Sequence, residues 1–302
     1  LREASAAGRA AADPRPLFDA LARDLLRLAG APPTGMQLTA ATTTSLEAYR
    51  AYLDGARALH AYRLELADSL LGRATALDST FALAWYKRGV LYSFRSTSGD
   101  TVQLAALGRA QRFGARLGAR ERAAVDAYAL LARANVVTAS DPTAAGVLLD
   151  SARARYAALV ARDSASADAW YGLADATFHR AFLEWYAWRA APRGASGDPA
   201  RRAATSRLQR FVNAAVRDFR RTLAVDSTSR LAYTHLLQLY EQVIADQGLV
   251  LDGDSVLVVA DSATFERLGE ARLERSKARA RAALLELARA WAAADPDAAQ
   301  AQ

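Results

Sequence analysis

The stretch Leu71–Tyr92, LGRATALDSTFALAWYKRGVLY, decides the fold. Alanine, leucine and arginine, which dominate its ends, are strong helix formers. Between them stands Asp78-Ser79-Thr80, short polar residues that bond to nearby backbone and so favour corners over helix interiors. The stretch therefore predicts the end of one helix, a tight corner and the start of the next. The same arrangement returns as LVARDSASADAWYGLADAT over 159–177 and as LAVDSTSRLAYTHLLQLY over 223–240. Three copies of one helix–corner–helix unit predict a repeat architecture. In such a chain no unit buries its apolar face alone, so neighbours must stack.

Composition agrees with an all-α chain. The 302 residues are 52% hydrophobic, mostly through alanine and leucine, and are long enough to bury a sizeable core. The net charge is +7, and all but two of the 39 basic residues are arginine, Lys87 and Lys277 being the exceptions. These arginines alternate with Asp and Glu along every predicted helix, which reads as a solvated surface rather than a nucleic-acid patch. Their densest run is Arg109, Arg112, Arg116 and Arg120. With no cysteine, disulfides, thiolate metal sites and cysteine nucleophiles are excluded. No run of about 18 apolar residues is present, so no membrane span is expected within the chain. Leu1 stands where Met would begin a complete chain and no signal-peptide pattern follows, so a processed chain or part of a longer one is expected.

Working outward, residues 14–30 place Leu17, Phe18, Leu21, Leu25 and Leu28 on one helical stripe. A Pro/Thr-rich linker follows to residue 45, with Thr44 or Ser45 as the N-cap of the next helix. Residues 1–45 are thus an N-terminal helix and linker, 46–296 the helical repeat domain and 297–302 a tail. Helices are expected at 46–61, 63–77, 81–95, 101–117, 119–135, 142–162, 167–189, 200–225 and 229–247. The exception is 248–261, where aliphatic runs flank Asp252-Gly253 and predict a short β-hairpin near 249–260. One long charged helix, 262–294, closes the domain.

These units resemble the tetratricopeptide repeat, a helical hairpin of about 34 residues. Gly55, Ala67, Leu71 and Ala74 stand where that repeat has its small and large packing positions, and Trp85 and Gly89 repeat the pattern in the next unit. Ala152 and Tyr156, then Trp170 and Ala174, then Ala215 and Phe219, then Tyr233, carry it onward. Small residues at the crossing let paired helices approach, and the aromatic fills the gap to the next hairpin. Serine replaces the usual corner proline at Ser79, Ser164 and Ser227, where Asp and Ser together are expected to cap the following helix. The corner aspartates Asp78, Asp163 and Asp226 are too far apart for intact units, so an irregular right-handed α-solenoid is expected. A narrower resemblance, carried by TTTSLEAYRAYLDGARAL at 42–59 and DSTFALAWYKRG at 78–89, is to bacterial multidomain signalling proteins. In these a kinase or regulatory module and a TolB-like domain precede such repeats. No Gly-rich phosphate loop, HRD or DFG is present here, so the chain would be the interaction half.

The resemblance implies a concave groove that binds a protein or peptide segment, lined by Tyr49, Tyr52, Leu83, Tyr86, Val90, Tyr171, Asp175, Phe178, Gln238 and Glu241. Tyrosine with scattered polar groups gives rigid area and hydrogen bonds at low entropic cost. The sharpest irregularity is FHRAFLEWYAWR at 178–189, where Phe182, Trp185, Tyr186 and Trp188 lie on an extension of the repeat helix. Two readings of these rings stand: packing beneath the loop at 191–199, or a partner surface. His60, His179 and His235 fall on different helices with no metal-binding spacing, and no acid–base–nucleophile set emerges. The expectation is a non-enzymatic scaffold with no catalytic residue, metal or cofactor. The alternative is a subunit that self-assembles end to end, forming a homo-oligomer through the apolar faces that solenoid ends expose.

Overall fold

The computed structural model describes residues 43–95, 100–191, 198–245, 247–253, 255–259 and 262–293. The predicted helix at 14–30, most of the linker, the interior of the loop at 191–199 and the tail lie outside the described residues. The chain divides after Ala132 into two compact units. The described residues form eleven helices and one two-stranded sheet, an all-α architecture in which helices adjacent in sequence pack on one another.

The first unit contains α1 (Leu46–His60), α2 (Leu64–Leu77), α3 (Ala82–Ser93), α4 (Asp100–Arg112) and the start of α5 (Ala119–Val137). Ser45 caps α1 by accepting from the Ala48 N–H, as its position predicts. The α3–α4 crossing rests on Gly89: a Cβ there would lie 2.5 Å from Leu107 Cδ2, inside any tolerable contact. Trp85 is buried beside Ala82, Ala106 and Ala110, with the Arg109 guanidinium 4.4 Å above its ring. Helix α4 stops five residues short of the expected 117. The chain instead tightens into a 3₁₀ turn at Gly114–Arg116, where the Leu117 N–H reaches Gly114 O.

The second unit contains the end of α5, α6 (Pro142–Arg162), α7 (Ala167–Ala190), α8 (Pro199–Val225) and α9 (Arg230–Ile244). After these come β1 (Leu249–Asp252), β2 (Ser255–Val258), α10 (Ser262–Leu268) and α11 (Glu270–Ala293). The closing helix is two helices and not one. Gly269 at φ +71° takes a left-handed conformation that only glycine adopts without strain, and α10 ends there.

The three corners are built alike. Asp78, Asp163 and Asp226 are the C-caps of α2, α6 and α8, all in extended conformation near φ −145°. Each carboxylate accepts from the backbone N–H two residues on, that of Thr80, Ala165 and Thr228. Each ring seven residues beyond the aspartate donates back to the serine carbonyl: Trp85 to Ser79 O, Trp170 to Ser164 O, Tyr233 to Ser227 O. This corrects the expected capping of the following helix by Asp and Ser. One carboxylate oxygen is taken up in its own turn before that helix begins, and at Asp78 the other accepts from Thr43 Oγ1. Only Ser166 supplies a side-chain cap at these corners, to Ala169 N; Phe81 and Ser229 supply none.

The predicted hairpin forms, pairing Leu249 with Val258 and Asp252 with Ser255 in antiparallel register. Its edges are closed by side chains, not strands. Asn213 on α8 accepts from Val256 N at 2.7 Å and donates to Val256 O at 2.9 Å, while Gln209 Oε1 accepts from Val258 N. On the other edge Ser276 Oγ on α11 accepts from Leu251 N at 2.7 Å. Unpaired strand edges are a pairing hazard, and these amide and hydroxyl contacts remove it. Asn213→Leu strands two backbone groups at once and is expected to cost about 2–4 kcal/mol, at about 1–3 kcal/mol per unsatisfied group less partial hydration. Urea unfolding followed by circular dichroism measures it, and an unchanged midpoint would refute the role.

Candidate functional site

The residues expected in one groove fall into three settings. In the first unit Tyr49, Tyr52, Leu83 and Tyr86 are half-buried and form a row across α1 and α3. The Tyr49 and Tyr52 rings lie 6.3 Å apart, Tyr52 meets Phe81 at 5.0 Å, and Tyr86 meets Tyr128 edge-on at 5.9 Å. Val90 is buried, a correction to its expected place in the lining.

In the second unit Gln238 and Glu241 are exposed on α9. Tyr171, Asp175 and Phe178 are instead buried, because α8 and α9 close over this face of α7. Phe219 from α8 lies 6.3 Å from Tyr171 and 6.0 Å from Phe178. His235 from α9 enters between them. These three residues therefore belong to the core and not to a groove, the largest correction to the expected site.

The same closure brings together histidines that the sequence places on separate helices. His179 Nε2 lies 3.3 Å and His235 Nε2 3.4 Å from Asp175 Oδ1, which is sealed from solvent. Burial would raise the Asp175 carboxyl, but the hydrogen bonds and positive charge of the two imidazoles outweigh it and hold the group well below the usual carboxylate range. Among the described residues no group of three His, Asp or Glu side chains has the geometry to hold a metal ion.

The aromatic extension separates into two parts. Phe178, Phe182, Trp185 and Tyr186 form a ladder along α7, with successive centroids 4.9, 6.1 and 5.3 Å apart, rising from the core to Tyr186, which is 55% exposed. Trp188 points the other way and is buried. Its Nε1 donates to Thr205 Oγ1 at 3.1 Å, and the Arg201 guanidinium covers its face at 4.1 Å.

Beside the ladder lies an open groove of about 950 Å³ between the end of α5, α6, α7 and α8. Val147, 63% exposed, and Tyr186 stand on its apolar walls above Gly146, Leu183 and Ala187. An ion-pair chain edges it. Arg180 Nη1 meets Glu184 Oε1 at 2.6 Å, Arg207 Nε meets Glu184 Oε2 at 3.0 Å, and Arg180 Nε lies 3.3 Å from Asp150. Arg153 and Arg180 also rest on the Phe211 ring, at 4.8 and 4.7 Å. This braced chain fixes charged heads along the rim. No contiguous stretch of the sequence announces this groove. The signals were the four-residue spacing of Arg180 and Glu184 and the exposed Val147 on a helix of alanines, but their partners on α6 and α8 are distant in sequence.

By its fold this is an all-α helical-repeat protein. No protein-family model matches the chain, and no curated protein matches its sequence. No described helix is long and apolar enough to cross a membrane.

Proposed function

We propose that the chain is a non-enzymatic, tetratricopeptide-like scaffold that holds a segment of a partner protein in the groove of its second unit. The observation that carries this reading is the open groove itself, in which Val147 and Tyr186 stay exposed beside a rim of immobilised charges. Apolar side chains set in a concavity beside a few fixed polar groups are the usual lining of a binding cleft. The cavity has the size and mixed apolar–polar lining of a binding cleft. The arginine–carboxylate rim supplies fixed donors and acceptors for a polar backbone. The half-buried row Tyr49, Tyr52, Leu83 and Tyr86 is a second contact surface of the same character on the first unit.

The test is selection of displayed random peptides on the full chain, followed by affinity measurement on the variants. Tyr186→Ala is expected to weaken selected peptides about tenfold or more, as truncation of an interface aromatic does, and Val147→Asp to abolish their binding. Both positions are exposed, so thermal stability should hold. Tyr52→Ala and Tyr86→Ala report on the first-unit row in the same assay. Peptides that bind the Val147→Asp protein as well as wild type would sink the groove reading.

A further inference from the structure

The first unit carries its own concavity, of about 300 Å³, between α3 and α4. It shares no residue with the groove of the second unit. Trp85 lines it from α3, and Val102, Ala105 and Ala106 of α4 supply an apolar wall. Two guanidinium groups lie over the one indole ring, Arg109 at 4.4 Å and Arg88 at 5.1 Å. Attraction to the ring face accounts for holding either arginine there, but the two like charges repel one another.

Few acceptors answer these charges. Arg88 Nη1 donates to Thr75 Oγ1 at 3.0 Å, and its Nη2 donates to the Tyr92 hydroxyl. Its Nε is buried and has no hydrogen-bond partner among the described residues. Arg109 is exposed, and among the described residues no group accepts a hydrogen bond from it. The nearest carboxylate, Asp68, lies 3.9 Å from Arg88 and is already paired with Arg95. Three arginines therefore share one counter-charge among the described residues, which leaves two positive charges in excess.

The other polar groups of the cavity also donate. The Tyr92 oxygen accepts from Arg88, so its own hydrogen is left to give. The Thr101 hydroxyl, exposed in the first turn of α4, is a further donor. Such a set selects a ligand group that only accepts and that carries two negative charges. A phosphate monoester meets both demands above its second pKa of about 6, whereas a carboxylate brings a single charge. The volume falls at the small end of ligand sites, which span roughly 300–1,000 Å³, and so suits one ring or short chain.

We infer that this cavity binds a phosphate monoester with a small apolar substituent. Arg88, Arg109, Tyr92 and Thr101 hold the phosphate, and the substituent lies against Val102, Ala105 and Trp85. Such an ester occurs both as a free small molecule and as a phosphorylated side chain, two sources that the experiment separates.

Calorimetric titration of the full chain at about pH 8, where the ester is a dianion, tests this. Phenyl phosphate is expected to bind about tenfold or more tighter than inorganic phosphate, which lacks the apolar body, or benzoate, which lacks the second charge. Arg109→Gln should weaken it about tenfold or more, since it removes charge-assisted hydrogen bonds. Val102→Asp should abolish binding. Both side chains are exposed, so circular dichroism should show the fold kept. Arg112→Gln removes the same charge from α4 outside the cavity and should bind as wild type does. A short neutral phosphotyrosyl peptide is the second ligand. Binding as tight as that of phenyl phosphate supports the site with a protein as source, and weaker binding supports it with a free small molecule. No binding of phenyl phosphate, equal binding of inorganic phosphate, or equal losses in Arg109→Gln and Arg112→Gln overturns the assignment.

Discussion

Trp188→Ala is expected to lower the free energy of unfolding by about 3–5 kcal/mol, the range for deleting a buried large aromatic. Three contacts are lost with the ring. Its area is removed from contact with α8, its Nε1 hydrogen bond to Thr205 Oγ1 disappears, and Arg201 loses the face it covers. The cavity does not collapse easily, because the chain entering the hairpin is shaped around the ring. Gly248 sits at φ +79° with its missing Cβ position 2.7 Å from Trp188 Cη2. Against a total stability of about 5–15 kcal/mol, this loss is a large fraction. Urea unfolding measures it. Trp188→Phe keeps most of the packing and should cost only about 1–2 kcal/mol, whereas Trp185→Ala, half-buried on the ladder, should cost less than Trp188→Ala. A loss under about 1 kcal/mol for Trp188→Ala would show that the ring does not anchor α7 to α8 and the hairpin entry.

Asp175→Asn is expected to destabilise by about 3–5 kcal/mol at neutral pH, the cost of removing one partner from a buried, charged group. The shape is kept and only the charge is lost, so the effect reports electrostatics rather than volume. Its pH dependence has a definite sign. Asp175 is held below its unfolded value, so its contribution is fully present above about pH 4 and fades as pH falls through the lower folded value. The gap between wild type and Asp175→Asn should therefore narrow toward strong acid. Melting curves at a series of acid pH values check this, and a gap that widens with acidity would contradict the assignment.

Much of the architecture was legible in the chain, and for local reasons. The Asp-Ser-x corners at Asp78, Asp163 and Asp226 form where expected because short polar side chains close turns on their own backbone. The hairpin at 249–258 was readable from two aliphatic runs around Asp252-Gly253. The end of α4 and the break at Gly269 were not, since a glycine within an alanine–arginine run carries no mark of whether tertiary packing will exploit it.

The candidate site was legible only in part. The Tyr49, Tyr52, Leu83 and Tyr86 row, expected from the resemblance to the tetratricopeptide repeat, lies half-exposed. Tyr171, Asp175 and Phe178 take the equivalent positions of that repeat pattern yet are buried, because the pattern says which face of α7 they occupy and nothing of what covers that face. The four-residue step from Asp175 to His179 was in plain sight; His235, sixty residues from Asp175, was not.

By itself, the sequence determined the all-α class, the helix–corner–helix unit and the small residues at the helix crossings. Each depends on propensity, turn chemistry or spacing within about one turn of chain. Tertiary structure alone decided that α8 and α9 close over α7, that Asn213 and Ser276 finish the hairpin's edges, and that Val147 and Tyr186 are left open beside Arg180, Glu184 and Arg207. Those outcomes depend on pairings between residues distant in sequence, where burial and charge are set by the partner and not by the residue itself.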